Sequence, residues 1–209
     1  MAKILITGGN GRLATELKKH LKGDYFGKKD FDFTKPIKLK KKYDLIVHAG
    51  AYTNVKKAEF ENKKKCFMVN VYGTFNLIEH YKKTPFIFIS TEFAKNPFAI
   101  YALTKKLGEE IVKTHPQHLI LRTLFKPNPF PFPVAYIDQY TQGDYVDVIA
   151  KLLAKKIKTW DRKTSGLEYL GTGRKTMFEL AKRTRPDVQP NSISDYMKEA
   201  GIFVPRDYE

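Results

Sequence analysis

Cysteine is almost missing from this chain. Cys66 stands alone among 209 residues, so no internal disulfide can form and no cysteine-based zinc site can be assembled. Long apolar runs are missing as well: none approaches the ~20 residues of a membrane-spanning helix. The start, Met-Ala-Lys and then a short β-rich run, does not read as a signal peptide. Acidic residues are scarce beside basic ones, 22 against 38, which leaves a net charge of +16. That imbalance raises anionic small molecules, nucleic acid and membrane surfaces as partners. What the chain does have is material for a core, with 42% apolar and 13% aromatic residues, enough for one or two packed domains. A globular, cytoplasmic protein is expected.

Two kinds of segment alternate through the first 125 residues. Lys3–Thr7 is a short apolar run ending in a glycine turn, and Arg12–Leu21 then places Leu13, Leu17 and Leu21 four apart, as on one helix face. Asp44–His48, Pro85–Ser90 and His118–Arg122 are further buried-strand candidates, with Asp24–Phe26 a weaker one. Phe67–Tyr81 and Ala99–Lys113 carry helical spacing between them. The alternation predicts an α/β fold, a parallel sheet covered by helices on both faces. After Arg122 the pattern breaks. Residues 126–133 hold four prolines in eight positions and can be neither helix nor central strand. Tyr145–Ile157 is helical again, Leu167–Leu170 a strand, and Met177–Lys182 and Ile193–Glu199 short helices. The tail is expected to form a small lobe beside the carboxyl ends of the sheet.

Thr7-Gly8-Gly9-Asn10-Gly11-Arg12-Leu13-Ala14 joins the first strand to the first helix. Gly8, Gly11 and Ala14 have the spacing in which glycines allow a tight turn and close approach to a pyrophosphate, while a small third residue lets helix and strand pack. The helix N-terminus adds free N–H groups and partial positive charge. An ordinary ligand-free βα turn is the plainer alternative; position between a buried strand and an amphipathic helix favours dinucleotide binding. At the end of the second strand, Gly27 holds the discriminating position and Lys28 and Lys29 come next, which favours NADPH, with NADH still open because Asp30 is close.

Tyr101 and Lys105 lie at i, i+4 on a predicted helix. Twelve tyrosines and many lysines make such spacing common, and Tyr25/Lys29 and Tyr52/Lys56 share it. Setting singles out Tyr101, which lies ten residues beyond the Ser90-Thr91 that ends a buried strand, where open α/β sheets bind ligands. A cation beside a phenol lowers its pKa and fits it for proton transfer at a carbonyl or alcohol. Thr91 can hydrogen-bond the same oxygen.

These segments, together with KKDFDFTKP at 28–36, HAGAYTNVKKAE at 48–59, VNVYGTFNL at 69–77, STEF at 90–93, LRT at 121–123 and DQYTQGDYVDVIA at 138–150, resemble the extended short-chain dehydrogenase/reductase superfamily, and within it the dTDP-4-dehydrorhamnose reductases. The resemblance implies a Rossmann-type doubly wound parallel sheet over residues 1–125, with helix 145–158 packed back on it, and a small C-terminal substrate lobe over 126–209. It implies reduction of a 4-keto group on a nucleotide-linked deoxysugar, with Thr91, Tyr101 and Lys105 as catalytic triad. Gly8, Asn10, Gly11, Arg12 and Leu13 match the phosphate loop, and Lys28, Asp32 and Phe33 the adenosine side. Ala49, Gly50, Ala51 and Tyr52 match the loop under the nicotinamide, Lys105 also the group that holds its ribose, and Asn70 a helix position that buttresses the site. No metal site is expected.

The chain departs from that family where the sugar would bind. Members usually run near 300 residues, the interval from Thr91 to Tyr101 is short, and Gly143-Asp144 stands where Pro-Thr is common. Dehydration is disfavoured because Glu92 is followed by Phe93 rather than a second acid, and Cys66 lies in the wrong segment for a GDP-fucose synthase. A nucleotide-sugar C4 epimerase, or a non-catalytic NAD(P)-binding partner protein, remain as alternatives. The lysine runs, among them 40–42 and 63–65, are scattered over many elements rather than gathered on one face, so they read as solvated surface and not as a nucleic-acid footprint. The Phe67, Phe75 and Tyr81 stripe reads as core. Partners are then a nucleotide sugar, with neither nucleic acid nor membrane, and a homodimer stays open.

Overall fold

Apolar runs of four to six residues become the centre of a sheet that is covered on both sides. The computed structural model describes residues 2–201 and 203–207. Its main sheet is parallel and has six strands: β1 (Ile4–Thr7), β2 (Asp24–Phe26), β3 (Leu45–His48), β4 (Phe86–Thr91), β5 (His118–Thr123) and β6 (Gly166–Tyr169). They lie in the order β6-β5-β4-β3-β1-β2. The order reverses between β1 and β3, and at such a switch point the loops from the strand ends part and leave a crevice for a ligand.

Strand residues alternate between two cores, as a period of two requires. Ile4, Ile6, Leu45, Val47, Ile87, Ile89, Leu119 and Leu121 face α1 (Arg12–Leu17) and the long α6 (Val146–Thr159), where Val146, Ile149, Leu153 and Ile157 fill the gap. Each such buried side chain contributes about 1.5–3 kcal/mol. Leu5, Ile46, Phe86, Phe88 and Ile120 face the opposite side, where they meet Leu77 and Ile78 of α4 (Gly73–His80) and Val112 of α5 (Ile100–Lys113). Helices α2 (Val55–Phe60) and α3 (Lys63–Phe67) precede α4, and a π-helical turn, Met68–Tyr72, joins α3 to α4.

Three expectations need correction. The helix expected over 67–81 starts earlier, at Lys63, and is interrupted by the π turn, which hydrophobic spacing alone does not reveal. The aromatic stripe divides: Tyr81 is in the core, Phe67 is half-buried, and Phe75 is exposed, because six residues on a helix put Phe75 and Tyr81 on different sides of it. The strand near 167–170 extends the main sheet beside β5 instead of joining the lobe.

The rest of the tail is built from short pairs. Phe125–Lys126 pairs with Asp144–Tyr145, Val134–Tyr136 with Gln189–Asn191, and Tyr140–Thr141 with Lys175–Thr176. Helices α7 (Met177–Lys182), begun by a Thr176/Glu179 capping box, and α8 (Ile193–Ala200) complete it. Phe130, Ala135, Tyr145, Met177, Leu180 and Val188 make its core.

One ion pair crosses the interior. The Glu109 carboxylate on α5 accepts from Arg122 Nε at 2.9 Å and Nη2 at 2.7 Å on β5, and from Ser90 Oγ at 2.5 Å on β4. Arg122 also donates to the Tyr169 hydroxyl on β6, at 3.3 Å. The pair ties α5 to three adjacent strands. Glu109→Gln should therefore cost about 3–5 kcal/mol, since it strands a buried guanidinium, read as a fall in the urea midpoint. Lys113→Ala, which breaks an exposed pair with Glu110 at 2.9 Å, should leave the midpoint nearly unchanged.

Candidate active site

The glycine turn is dictated by crowding. Gly8 has φ +70, and a Cβ on it would stand 2.7 Å from Gly50 Cα; a Cβ on Gly9 would stand 2.6 Å from the Tyr25 carbonyl carbon. No side chain can occupy either place. Gly9 N donates to Phe26 O at 2.8 Å, and Gly11 N to Gly8 O at 2.8 Å, so the turn touches the ends of β2 and β3 together. Gly11 is exposed and caps α1 without giving the first-turn amides a side-chain partner, and Asn10 and Arg12 are exposed beside it. Leu13 contributes only backbone here, because its side chain lies in the α1 core.

Beyond β2, Lys28 and Lys29 are exposed. The Asp30 carboxylate turns back to accept from Gly27 N at 3.0 Å. Asp32 accepts from Thr34 N at 3.1 Å and Thr34 Oγ1 at 2.6 Å, and these bonds, with Lys28 and Lys35 nearby, outweigh burial and lower its pKa. Phe33 is core rather than rim: its ring stands edge-on to His48 at 4.9 Å and covers Gly50 and Gly73.

A chain of polar side chains runs under the next loop. His48, buried at the end of β3, bonds Thr7 Oγ1 through Nδ1 at 2.6 Å and Thr74 Oγ1 through Nε2 at 3.2 Å. Thr74 Oγ1 donates to Asn70 O at 2.7 Å in the π turn. The Asn70 side chain closes a two-point clamp on Tyr52, accepting from its N–H at 2.8 Å and donating to its carbonyl at 3.1 Å. Its Nδ2 also reaches Thr104 Oγ1, at 3.0 Å, on α5. Ala49, Gly50, Ala51 and Tyr52 are thus held by both neighbours, Gly50 N donating to Thr7 Oγ1 at 3.1 Å. Cys66 lies in the same network, 3.2 Å from Thr104 Oγ1, and burial pushes its thiol up; it is an inert packing residue.

Thr91 and Tyr101 meet at the carboxyl end of β4. The Thr91 hydroxyl lies near enough to the Tyr101 phenol to favour its ionised form, but burial outweighs it and pushes the pKa up to about 12. Lys105 is buried one turn further on. Its Nζ donates to Ile89 O at 2.8 Å and stands 3.9 Å from the centre of the Phe88 ring, and burial lowers its pKa to about 7. The expected lowering of the phenol by Lys105 is not what the structure shows. The ammonium is engaged by a carbonyl and a ring, and desolvation moves the Tyr101 phenol, protonated at neutral pH in any case, further up.

Glu92, next to Thr91, has a different task. Its buried carboxylate accepts from Thr141 Oγ1 at 2.6 Å and Gln142 N at 2.9 Å, fastening the lobe to the end of β4. Sequence patterns give this residue no role in the site, nor His48, Thr74 or Glu109. The one available signal is a polar residue closing an apolar run, as in DLIVH.

The RmlD substrate binding domain family matches residues 2–149. The chain belongs to that family. A dTDP-4-dehydrorhamnose reductase of Aggregatibacter actinomycetemcomitans is 28% identical over 189 residues, with 77% of this chain and 59% of its own length covered. This RmlD-family chain therefore spans little more than half of that relative. A hypothetical dTDP-4-dehydrorhamnose reductase from Sulfolobus tokodaii has a similar fold at TM-score 0.81 and 22% identity, covering 99% of this chain and 90% of its own. A dTDP-4-dehydrorhamnose reductase from Bacillus anthracis, in complex with NADP, gives 0.78 and 22%, covering 99% and 94%. The residues that this RmlD-family chain gathers at one edge come from β1, β3, β4 and α5. Among the described residues no cluster of three or more metal-ligating side chains occurs.

Burial, helped by the nearby Lys105 charge, holds the His48 imidazole well below its ordinary pKa. The folded protein keeps it neutral while the unfolded chain takes up a proton near pH 6.5. Stability present above that pH should fall as the pH drops from 6.5 toward 5, by up to about 1.4 kcal/mol per unit from this group. Urea midpoints across that window check it: His48→Gln, with no ring to titrate, should show a slope shallower by one proton.

Proposed function

We propose that the chain is an NADPH-dependent reductase of a 4-keto group on a nucleotide-linked deoxysugar. One observation carries the reading: the neighbouring Thr91 and Tyr101 hydroxyls, with buried Lys105 behind them, share a sheet edge with the glycine turn. The turn suits a pyrophosphate, since Gly8 and Gly9 have no room for a side chain and Gly11 leaves the first-turn amides of α1 unshielded. Residues 1–125 would hold the dinucleotide, Gly8 to Leu13 its phosphates and Asp32 its adenosine end, with Phe33 lending support from the core. The solved Bacillus anthracis relative carries NADP, and the exposed Lys28 and Lys29 here suit a 2′-phosphate while Asp30 is tied to Gly27. NADH would serve as a weaker donor.

Bound there, the reduced nicotinamide supplies a hydride. The rest falls to the chain's own groups. Thr91 and Tyr101 hold the ketone oxygen, and the Tyr101 O–H gives its proton to that oxygen as the alcohol forms. Lys105 positions the helix turn that carries Tyr101 and meets the cofactor ribose, and the clamped Ala49–Tyr52 loop lies beneath. Residues 126–209, joined through Glu92, would receive the nucleotide sugar. A cytoplasmic location suits such an enzyme. Among the described residues no helix is long and apolar enough to cross a membrane.

The test is calorimetry with NADPH, NADH and their oxidised forms, and then NADPH oxidation with dTDP-, UDP- and GDP-4-keto sugars. Tyr101→Phe should lower turnover by about 10²–10⁴ and leave NADPH affinity within about twofold. Turnover surviving that change removes Tyr101 from the mechanism. Binding without turnover on any sugar moves the assignment to a partner protein.

A further inference from the structure

Two buried side-chain atoms lack a hydrogen-bond partner among the described residues, the Tyr81 hydroxyl and Thr123 Oγ1. Tyr81 lies in the core near Tyr43, away from the strand ends that carry the site. Thr123 lies among them. It is the last residue of β5, it is 3% exposed, and its register partner on β4 is Thr91. Its side chain shares the parity of Leu119 and Leu121 and so faces the side of α1, whereas Arg122 turns to Glu109 on α5. An unpaired buried hydroxyl is a standing cost, and at the rim of a site a group absent from the polypeptide is one way to complete it.

Topology says which part of a ligand reaches that point. The glycine turn fixes the phosphates at β1, and β2, on one side of it, takes the adenosine. Running the other way along the carboxyl edge, the order is β3, β4, β5. Position 123 is therefore at the nicotinamide end. We infer that the Thr123 hydroxyl is a positioning group for the cofactor, hydrogen-bonding the nicotinamide carboxamide and fixing the ring beside Thr91 and Tyr101. This rests on the dinucleotide reading above. The chemistry is matched: a hydroxyl is one donor and an acceptor, and a carboxamide presents both partners.

Calorimetry on the wild type, Thr123→Val and Thr123→Ser tests it, with NADP+ and with adenosine 2′,5′-bisphosphate, which lacks the nicotinamide. Valine keeps the shape and removes the hydroxyl. NADP+ should bind Thr123→Val about tenfold more weakly, while adenosine 2′,5′-bisphosphate binds all three proteins within about twofold and serine restores NADP+ affinity. The urea midpoint of ligand-free Thr123→Val should be equal to or above that of wild type, because no bond is lost. A lowered midpoint with unchanged NADP+ affinity overturns the inference and assigns the hydroxyl to a structural water. Equal weakening of both ligands overturns it as a general disturbance, and a raised KM for the sugar with unchanged NADP+ affinity gives the hydroxyl to the substrate. Failure of the wild type to bind NADP+ overturns the dinucleotide reading and this inference together. Wild-type binding with Thr123→Val unchanged overturns this inference alone.

Discussion

The register of α5 against β4 is the constraint on which the site depends. Tyr101, Lys105 and Glu109 are spaced by four, so they line one face of the helix at intervals of about 6 Å. Each meets the same stretch of strand: Tyr101 at Thr91, Lys105 at Ile89 O and the Phe88 ring, Glu109 at Ser90. The deepest of the three, Glu109, is held by a two-pronged guanidinium that leaves little freedom to slide or rotate. Burying those charges is costly, and a well-packed apolar pair could be as stable. The apolar alternative would fix the helix less tightly in the direction that matters, along its axis.

A second fixed point lies across the site. The π turn places Asn70 where its amide meets both backbone groups of Tyr52, and the same amide reaches Thr104 on α5. Thr74 and His48 continue the chain of bonds to Thr7, one residue before the glycine turn. The loop after β3 is thereby tied to the parts that would hold the phosphates and to those that would hold the reacting carbonyl. Such a network is useful only when every member is satisfied, and a neutral His48 satisfies this one by accepting from Thr7 Oγ1 at one nitrogen and donating to Thr74 Oγ1 at the other. This is why desolvation and function agree in keeping that ring neutral.

Much of this is legible in the sequence, and the reasons for the remainder are specific. Strands β1, β3, β4 and β5 are readable because both their faces are covered, which makes each a continuous apolar run. The glycine turn is readable because steric exclusion at Gly8 and Gly9 leaves no other residue type. The π turn is not, since one extra residue in a helix leaves no periodic mark short enough to separate from noise. Glu109 looks like one more charge in the Lys-Lys-Leu-Gly-Glu-Glu stretch, because its partner Arg122 is 13 residues away on another element. The strand at Gly166–Tyr169 shows itself as a strand but not as a member of the main sheet, for a pattern gives an element's type and not its neighbour. Leu13 and Phe33 mark a further limit. A family position can lie in a binding segment while its own side chain serves the core.

The division of labour between the two parts is set by Glu92. Immediately after Thr91, its carboxylate is committed to the backbone and hydroxyl of the 141–142 segment; burial raises its pKa against those bonds and the nearby Lys175, and its bonds make it a fastening. The proposed chemistry then needs only Thr91, Tyr101 and Lys105, all supported by β4 and α5. The lobe also bears on that support: Ala99, which caps α5 two residues before Tyr101, packs in one cluster with Ile193 and Val204. The segments after Thr123, to which the proposal gives the sugar nucleotide, are different in build, being short strand pairs around a small core. The chain covers 59% of the length of a reductase relative, and the groups proposed here for proton transfer all lie on β4 and α5.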